Sequence, residues 1–90
     1  MTDMIERIIV AQGEARDRQV LAIWTVYDRP TDYPQGYIAR QFLVEGPAPL
    51  ATDNTITGPL AELRDAFAEV GLVRMTRHPS DESQIVECWL

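Results

Sequence analysis

Apolar residues recur at helical spacing near the start of this chain and run almost unbroken through its centre. They return to helical spacing beyond residue 58 and alternate at the end. Met4, Ile5, Ile8, Ala11 and Ala15 fall near a 3.6-residue period, with Asp3 as a possible cap and Glu6 three positions on. This predicts a short amphipathic helix over about residues 3–12. The run IIV is equally compatible with the start of a strand, and GEARDR (13–18) reads as a polar turn or frayed helix end. QVLAIWTVYD (19–28) is β-branched, aromatic and apolar on both faces, as in a central strand covered on two sides. GYIARQFLVE (36–45) is the next strand. Alternation puts Ile38, Arg40, Phe42 and Val44 on one side, and Tyr37, Ala39, Gln41 and Leu43 on the other. A connection of about eight residues is too short for a parallel crossover, so the two strands are expected to pair antiparallel.

GPAPLATDNTITG (46–58), punctuated by Pro47 and Pro49, reads as irregular. A second helix is expected over about 59–70, capped by Gly58 or Thr57, with Pro59 in its first turn. Leu60, Leu63, Phe67 and Val70 form its buried stripe, while Glu62, Asp65 and Glu69 make an acidic, solvated outer ridge. Gly71 stands where a left-handed cap belongs, and Leu72 can fold back on Phe67. LVRMTRHP (72–79) suggests a short strand with Val73 and Met75 inward and Arg74 and Thr76 outward; after SDES, QIVECWL (84–90) returns as the last strand. The expected fold class is α+β in a single domain, residues 1–90. It has a small antiparallel sheet of about four strands in two hairpins, the 59–70 helix on one face, and a short N-terminal helix besides.

Composition narrows the function classes. A length of 90 residues supports one hydrophobic core, and a hydrophobic fraction of 46% is that of a globular chain. No apolar run approaches the roughly 18 residues of a membrane span. The acidic N-terminus, with Asp3 and Glu6, does not read as a secretory signal, so no membrane partner is expected. Fourteen acids against eight bases, all of them arginine, give a net charge of −6. Residues 1–45 hold seven acids and five arginines, and residues 46–90 seven and three. With no basic stripe, nucleic acid is not an expected partner. Cys88 is the single cysteine, which excludes an intramolecular disulfide and a cysteine cluster. It reads as a small buried hydrophobe in a cytoplasmic protein. No metal site and no cofactor are expected, since neither phosphate-binding glycine loops nor ligand clusters occur.

The densest chemistry is VYDRPTDYPQGYIARQF (26–42). Tyr27, Asp28, Arg29, Asp32, Tyr33 and Arg40 are the candidate binding residues. Arg29 and Arg40 suit a carboxylate or phosphate, with Asp28 or Asp32 as polar partner or base. Turn chemistry accounts for most of the same residues, because the aspartates can accept backbone N–H bonds and Pro30 and Pro34 stiffen the connection. The stretch WTVYDRPTDYPQGYIARQF (24–42) resembles a W-T-V/I-Y-D-x-P-x-D-Y/F-P pattern found in short uncharacterised bacterial and phage-associated proteins. It matches at Trp24, Thr25, Tyr27, Asp28, Pro30, Asp32, Tyr33, Pro34 and Arg40. The resemblance spans about a fifth of the chain and implies no activity. Arg29 stands where that pattern often has histidine. His78, the sole histidine, lies near Asp81 and Glu82 but has no nucleophile at a recognisable spacing. No catalytic residue is assigned.

Trp89 in the terminal strand is a candidate interface anchor, and an open strand edge there would suit strand addition. The leading expectation is therefore a non-enzymatic protein acting through a protein partner or as a homodimer. The alternative is a small anionic-ligand binder or enzyme built on the 27–40 hairpin. Arg40 alternates onto the same side as Phe42; if buried there, it needs a partner, and Asp28 or Asp32 is the expected one.

Overall fold

The computed structural model describes residues 2–28, 36–76 and 85–90. Among these, two helices pack on one antiparallel five-stranded sheet. The elements are α1 (Thr2–Asp17), β1 (Leu21–Asp28), β2 (Tyr37–Val44), β3 (Pro49–Gly58), α2 (Leu60–Val70), β4 (Arg74–Thr76) and β5 (Ile85–Trp89). The strand order is β3-β2-β1-β5-β4. The α+β class stands, with one strand more than expected.

The N-terminal helix runs to Asp17, through Gly13 and all of GEARDR but Arg18, so of the two readings of that segment, turn or helix end, the helix end holds. The expected stripe is the one that packs. Ile8, Ala11 and Ala15 are buried, and Met4 and Ile5 lie partly buried against the core. Its end carries no glycine. Gln19 takes the left-handed conformation instead, at φ 58°. Its N–H bonds Arg16 O at 2.9 Å, and the Val20 N–H bonds Ala15 O at 3.0 Å, the bond pattern of a Schellman ending. A side chain in that conformation carries a steric penalty that glycine avoids. Gln19→Gly is therefore expected to stabilise the protein by about 1 kcal/mol, read as a higher urea midpoint with an unchanged slope.

The second helix follows the sequence reading closely. Pro59 sits just before it in extended conformation rather than in its first turn. Gly71 ends it at φ 95°, and the Leu72 N–H reaches Phe67 O at 3.0 Å. Leu63, Ala66 and Phe67 are its buried residues.

In the sheet, β1 and β2 pair antiparallel as expected, with Trp24 opposite Gln41 and Thr25 opposite Arg40. The irregular segment 46–58 is instead largely a strand, β3, at the edge of the sheet. An edge strand has one neighbour, so it tolerates Pro49 and a polar composition that an interior strand would not. β5 lies inside the sheet between β1 and β4 and is not an edge. Both helices cover the same side, where Ile8, Ala11, Leu63 and Phe67 meet Trp24, Val26, Ala39, Ile56 and Trp89. The Phe67 ring lies 5.5 Å from Trp24 and 5.4 Å from Trp89, centroid to centroid.

Candidate functional site

Of the six hairpin candidates, Tyr27, Asp28 and Arg40 are among the described residues, with Tyr27 and Arg40 on one face of the sheet and Asp28 on the other. Arg29, Asp32 and Tyr33 lie outside the described residues, as do His78, Asp81 and Glu82. Asp28 faces Tyr37 across the β1–β2 ladder, and Arg40 faces Thr25. Those two pairs are three positions apart, an odd number, so they project from opposite faces of the sheet. The expected Asp28–Arg40 pairing is thus not formed. Arg40 Nη1 donates instead to the Thr52 carbonyl at 2.8 Å.

The reason lies in β3. Its register against β2 shifts between Arg40, opposite Thr55, and Phe42, opposite Ala51. Thr52, Asp53 and Asn54 therefore bulge opposite Gln41 alone, and Gln41 and Arg40 tie the bulge down. Thr52 Oγ1 donates to Gln41 O at 2.9 Å and Asn54 Nδ2 to Gln41 Oε1 at 2.8 Å. From the same buried amide, Nε2 donates to Ala11 O at 3.1 Å on α1. Gln12 Oε1 accepts from Trp24 Nε1 at 2.8 Å. Two grooves flank this network between α1 and β3. One of about 410 Å³ is lined in part by Glu6, Arg7 and Asp53, and one of about 470 Å³ in part by Gln41, Thr52 and Asn54. Every buried side-chain N or O atom among the described residues already has a partner. The network is therefore spent on holding α1 and the bulge, with no buried polar group left over to read a ligand.

Trp89 is likewise committed to the fold. Its side chain is 6% exposed, stacked on Phe67 beneath the helices. That position corrects its assignment as an interface anchor. Its Nε1 donates at 2.9 Å to Glu87, a carboxylate buried in the same strand. Glu87 also receives Arg64 of α2, with Nε at 3.1–3.2 Å and Nη2 at 2.8 Å. Arg74 stands 3.9 Å away; β4 places it opposite Trp89 on the helical side, with half of its side chain exposed. Burial pushes the Glu87 carboxyl up, but the hydrogen bonds from Arg64 and Trp89 and the charges of Arg64 and Arg74 outweigh it. The result is a carboxyl below the ordinary glutamate value. A carboxylate so fully engaged is structural, because it has no room to accept a substrate proton.

Among the described residues, no helix lies on the other side of the sheet. On β1 that face presents Leu21, Ile23, Thr25 and Tyr27, which pair across to Val44, Phe42, Arg40 and Ile38 on β2. β3 adds Pro49, Ala51, Thr55 and Thr57. Cys88 of β5 lies opposite Thr25, with Met75 of β4 beyond it. Met75 is 43% exposed and Val73 66% exposed, so the expectation that they turn inward does not hold. In the strands, Arg40 is the one charged residue on this face among those described. The bulkier side of β2 is the open one. The covered side carries Ala39 and Gln41, because α1 approaches close enough for Gln41 to bond its backbone.

No known protein family, curated protein or solved structure matches this chain. Among the described residues no group of three or more His, Cys, Asp or Glu is placed to hold a metal ion. No helix among them is long and apolar enough to cross a membrane.

Proposed function

We propose that the chain is a non-enzymatic interaction protein that works through the open face of its sheet, docking a partner protein or a second copy of itself. We place it in the cytoplasm, where a lone thiol such as Cys88 stays reduced. The observation that supports the reading is the two-sided apolarity of β1 and β2 set against helical cover that, among the described residues, lies on one side. A sheet with one solvated face alternates apolar-in with polar-out. Here Ile23, Ile38, Phe42 and Val44 stand where polar residues belong. Each gains about 25 cal/mol per Å² of apolar surface once covered.

Strand addition at an edge has less to support it. β3 is interrupted by its bulge and begins at Pro49, and β4 is three residues long; short, bulged and proline-bearing edges resist pairing. The anion-binding hairpin has less still, since Arg40 and Asp28 leave the sheet on opposite sides.

The test is chemical cross-linking of wild type and Phe42→Glu in a lysate of the source cells. The wild type is expected to give a discrete cross-linked species, with itself or another protein. Phe42→Glu is expected to lose it while keeping its far-UV circular dichroism. Identical cross-link patterns from both proteins would refute the reading.

A further inference from the structure

Resting on that reading, we infer that the occupant of the open face is a second copy of this chain, packed sheet against sheet. The pair forms a four-layer arrangement with the helices outermost. Three observations support a copy as the occupant of this face.

The first is charge. The chain carries −6, and acids of both helices, among them Glu6, Glu14, Glu62 and Glu69, are exposed on the helical layer. Arg7 and Arg16 are exposed there too but are outnumbered, so a copy docking through that layer would meet a net like-charge repulsion. Pairing through the open faces puts both sheets between the two acidic layers. That separation exceeds the Debye length of about 8 Å at physiological salt.

The second is self-complementarity. A two-fold interface sets the same patch against itself, so a patch of one sign repels its copy, whereas a neutral apolar one does not. Arg40 is the one strand charge on the open face among the described residues. Its guanidinium is drawn toward the edge by the Thr52 carbonyl on β3. A patch without a charge pattern has little with which to select a foreign partner electrostatically.

The third is area. Strands of eight, eight, ten, five and three residues, spaced about 4.8 Å apart and rising about 3.3 Å per residue, make a flat footprint of about 500 Å². The corrugated accessible surface is larger. A standard interface buries about 800 Å² per partner, and sheets packed face to face lie about 10 Å apart. The patch approaches the size of a small dimer interface and lies in the upper part of the range that a monomer leaves bare.

The test is sedimentation equilibrium of the purified protein up to high micromolar concentration, together with the reaction rate of Cys88 toward a thiol reagent. Cys88 is the only thiol in the chain and lies on the open face. Wild type is expected at twice the 10.2 kDa chain mass, with Cys88 reacting more slowly as concentration rises. Phe42→Glu is expected to weaken dimerisation at least about 30-fold, as loss of a central anchor does, and to abolish the concentration dependence. Leu21→Glu is the companion variant. Leu21 is already 51% exposed, so a charge there perturbs the fold little and keeps the test valid if Phe42→Glu fails to fold. A wild type that stays monomeric overturns the second copy as occupant. The docking reading then survives only if Phe42-dependent cross-links to another protein persist. A dimer unmoved by both variants overturns the inference and places the contact elsewhere.

Discussion

Replacing Arg64 by methionine is expected to destabilise the protein by about 3 kcal/mol at neutral pH, the cost of stranding one member of a buried ion pair. It is also expected to reverse the pH dependence contributed by Glu87. The two members are not equivalent. The Glu87 side chain is 4% exposed and the Arg64 side chain 40%. Removing Glu87 lets Arg64 turn to water, while removing Arg64 leaves the carboxylate with the Trp89 N–H and Arg74 alone. In the wild type the Glu87 carboxyl is held below its ordinary value. Its contribution is therefore complete above the unfolded value of about 4.3 and is lost as pH falls through the lowered folded value. In Arg64→Met, burial is no longer outweighed, so the folded value rises above the unfolded one. The penalty then grows as pH rises from about 4 toward neutrality, and acid relieves it. Urea unfolding at pH 5, 6, 7 and 8 reads the difference between the two proteins, in which His78 and the surface acids cancel. Glu87→Gln, which keeps an acceptor for the Trp89 N–H, is expected to cost about 1–2 kcal/mol and to show no such slope. Parallel curves for wild type and Arg64→Met would mean that Glu87 is not held by Arg64.

The elements that chain-local rules specify are the ones that could be read from the sequence. The second helix needed only its stripe, Pro59 and Gly71, and all three act within a few residues of one another. α1 was cut short because Gly13 imitates an ending, whereas the real one uses Gln19 in a conformation glycine usually takes. β3 was hidden because its strand character comes from pairing with β2, not from its own residues. The Thr52–Asn54 bulge then breaks the alternation that would have marked it. Placing β5 between β1 and β4 depends on contacts across more than sixty positions of chain, such as Thr25 to Cys88. Trp89 looked available because it is one residue from the end. Glu87, two positions before it on the same face, was the signal that its indole N–H had a buried partner. Of the candidate site, the decisive feature was visible from the start as apolarity on both faces of β1. Which face lacked cover was not, because it depends on both helices choosing one side. Alternation sets Arg40 beside Phe42 as the structure has it, but whether that side is buried depends on the same choice by the helices.

Phe67→Ala is expected to be the most damaging core substitution, at about 3–5 kcal/mol. The ring is fully buried, tilted against Trp24 and stacked on Trp89, so its loss opens a cavity and removes two aromatic contacts together. Against a total stability of about 5–15 kcal/mol for a domain, that loss removes a large fraction of the margin. Phe67→Leu retains apolar volume and is expected to cost markedly less. Trp24 and Trp89 are the only tryptophans in the chain and both touch Phe67, so intrinsic fluorescence reports this core directly during urea unfolding. The same variant separates the two faces of the sheet. Trp24 and Val26 pack under the helices while their neighbours Ile23 and Thr25 face the open side. Phe67→Ala should therefore lose its association only at the denaturant concentration where fluorescence shows unfolding. Phe42→Glu should lose association with the fluorescence signal still native. Should Phe67→Ala instead dissociate while still folded, the open face would depend on the helical layer, and the two sides of the sheet would be one coupled unit rather than a core and a docking surface.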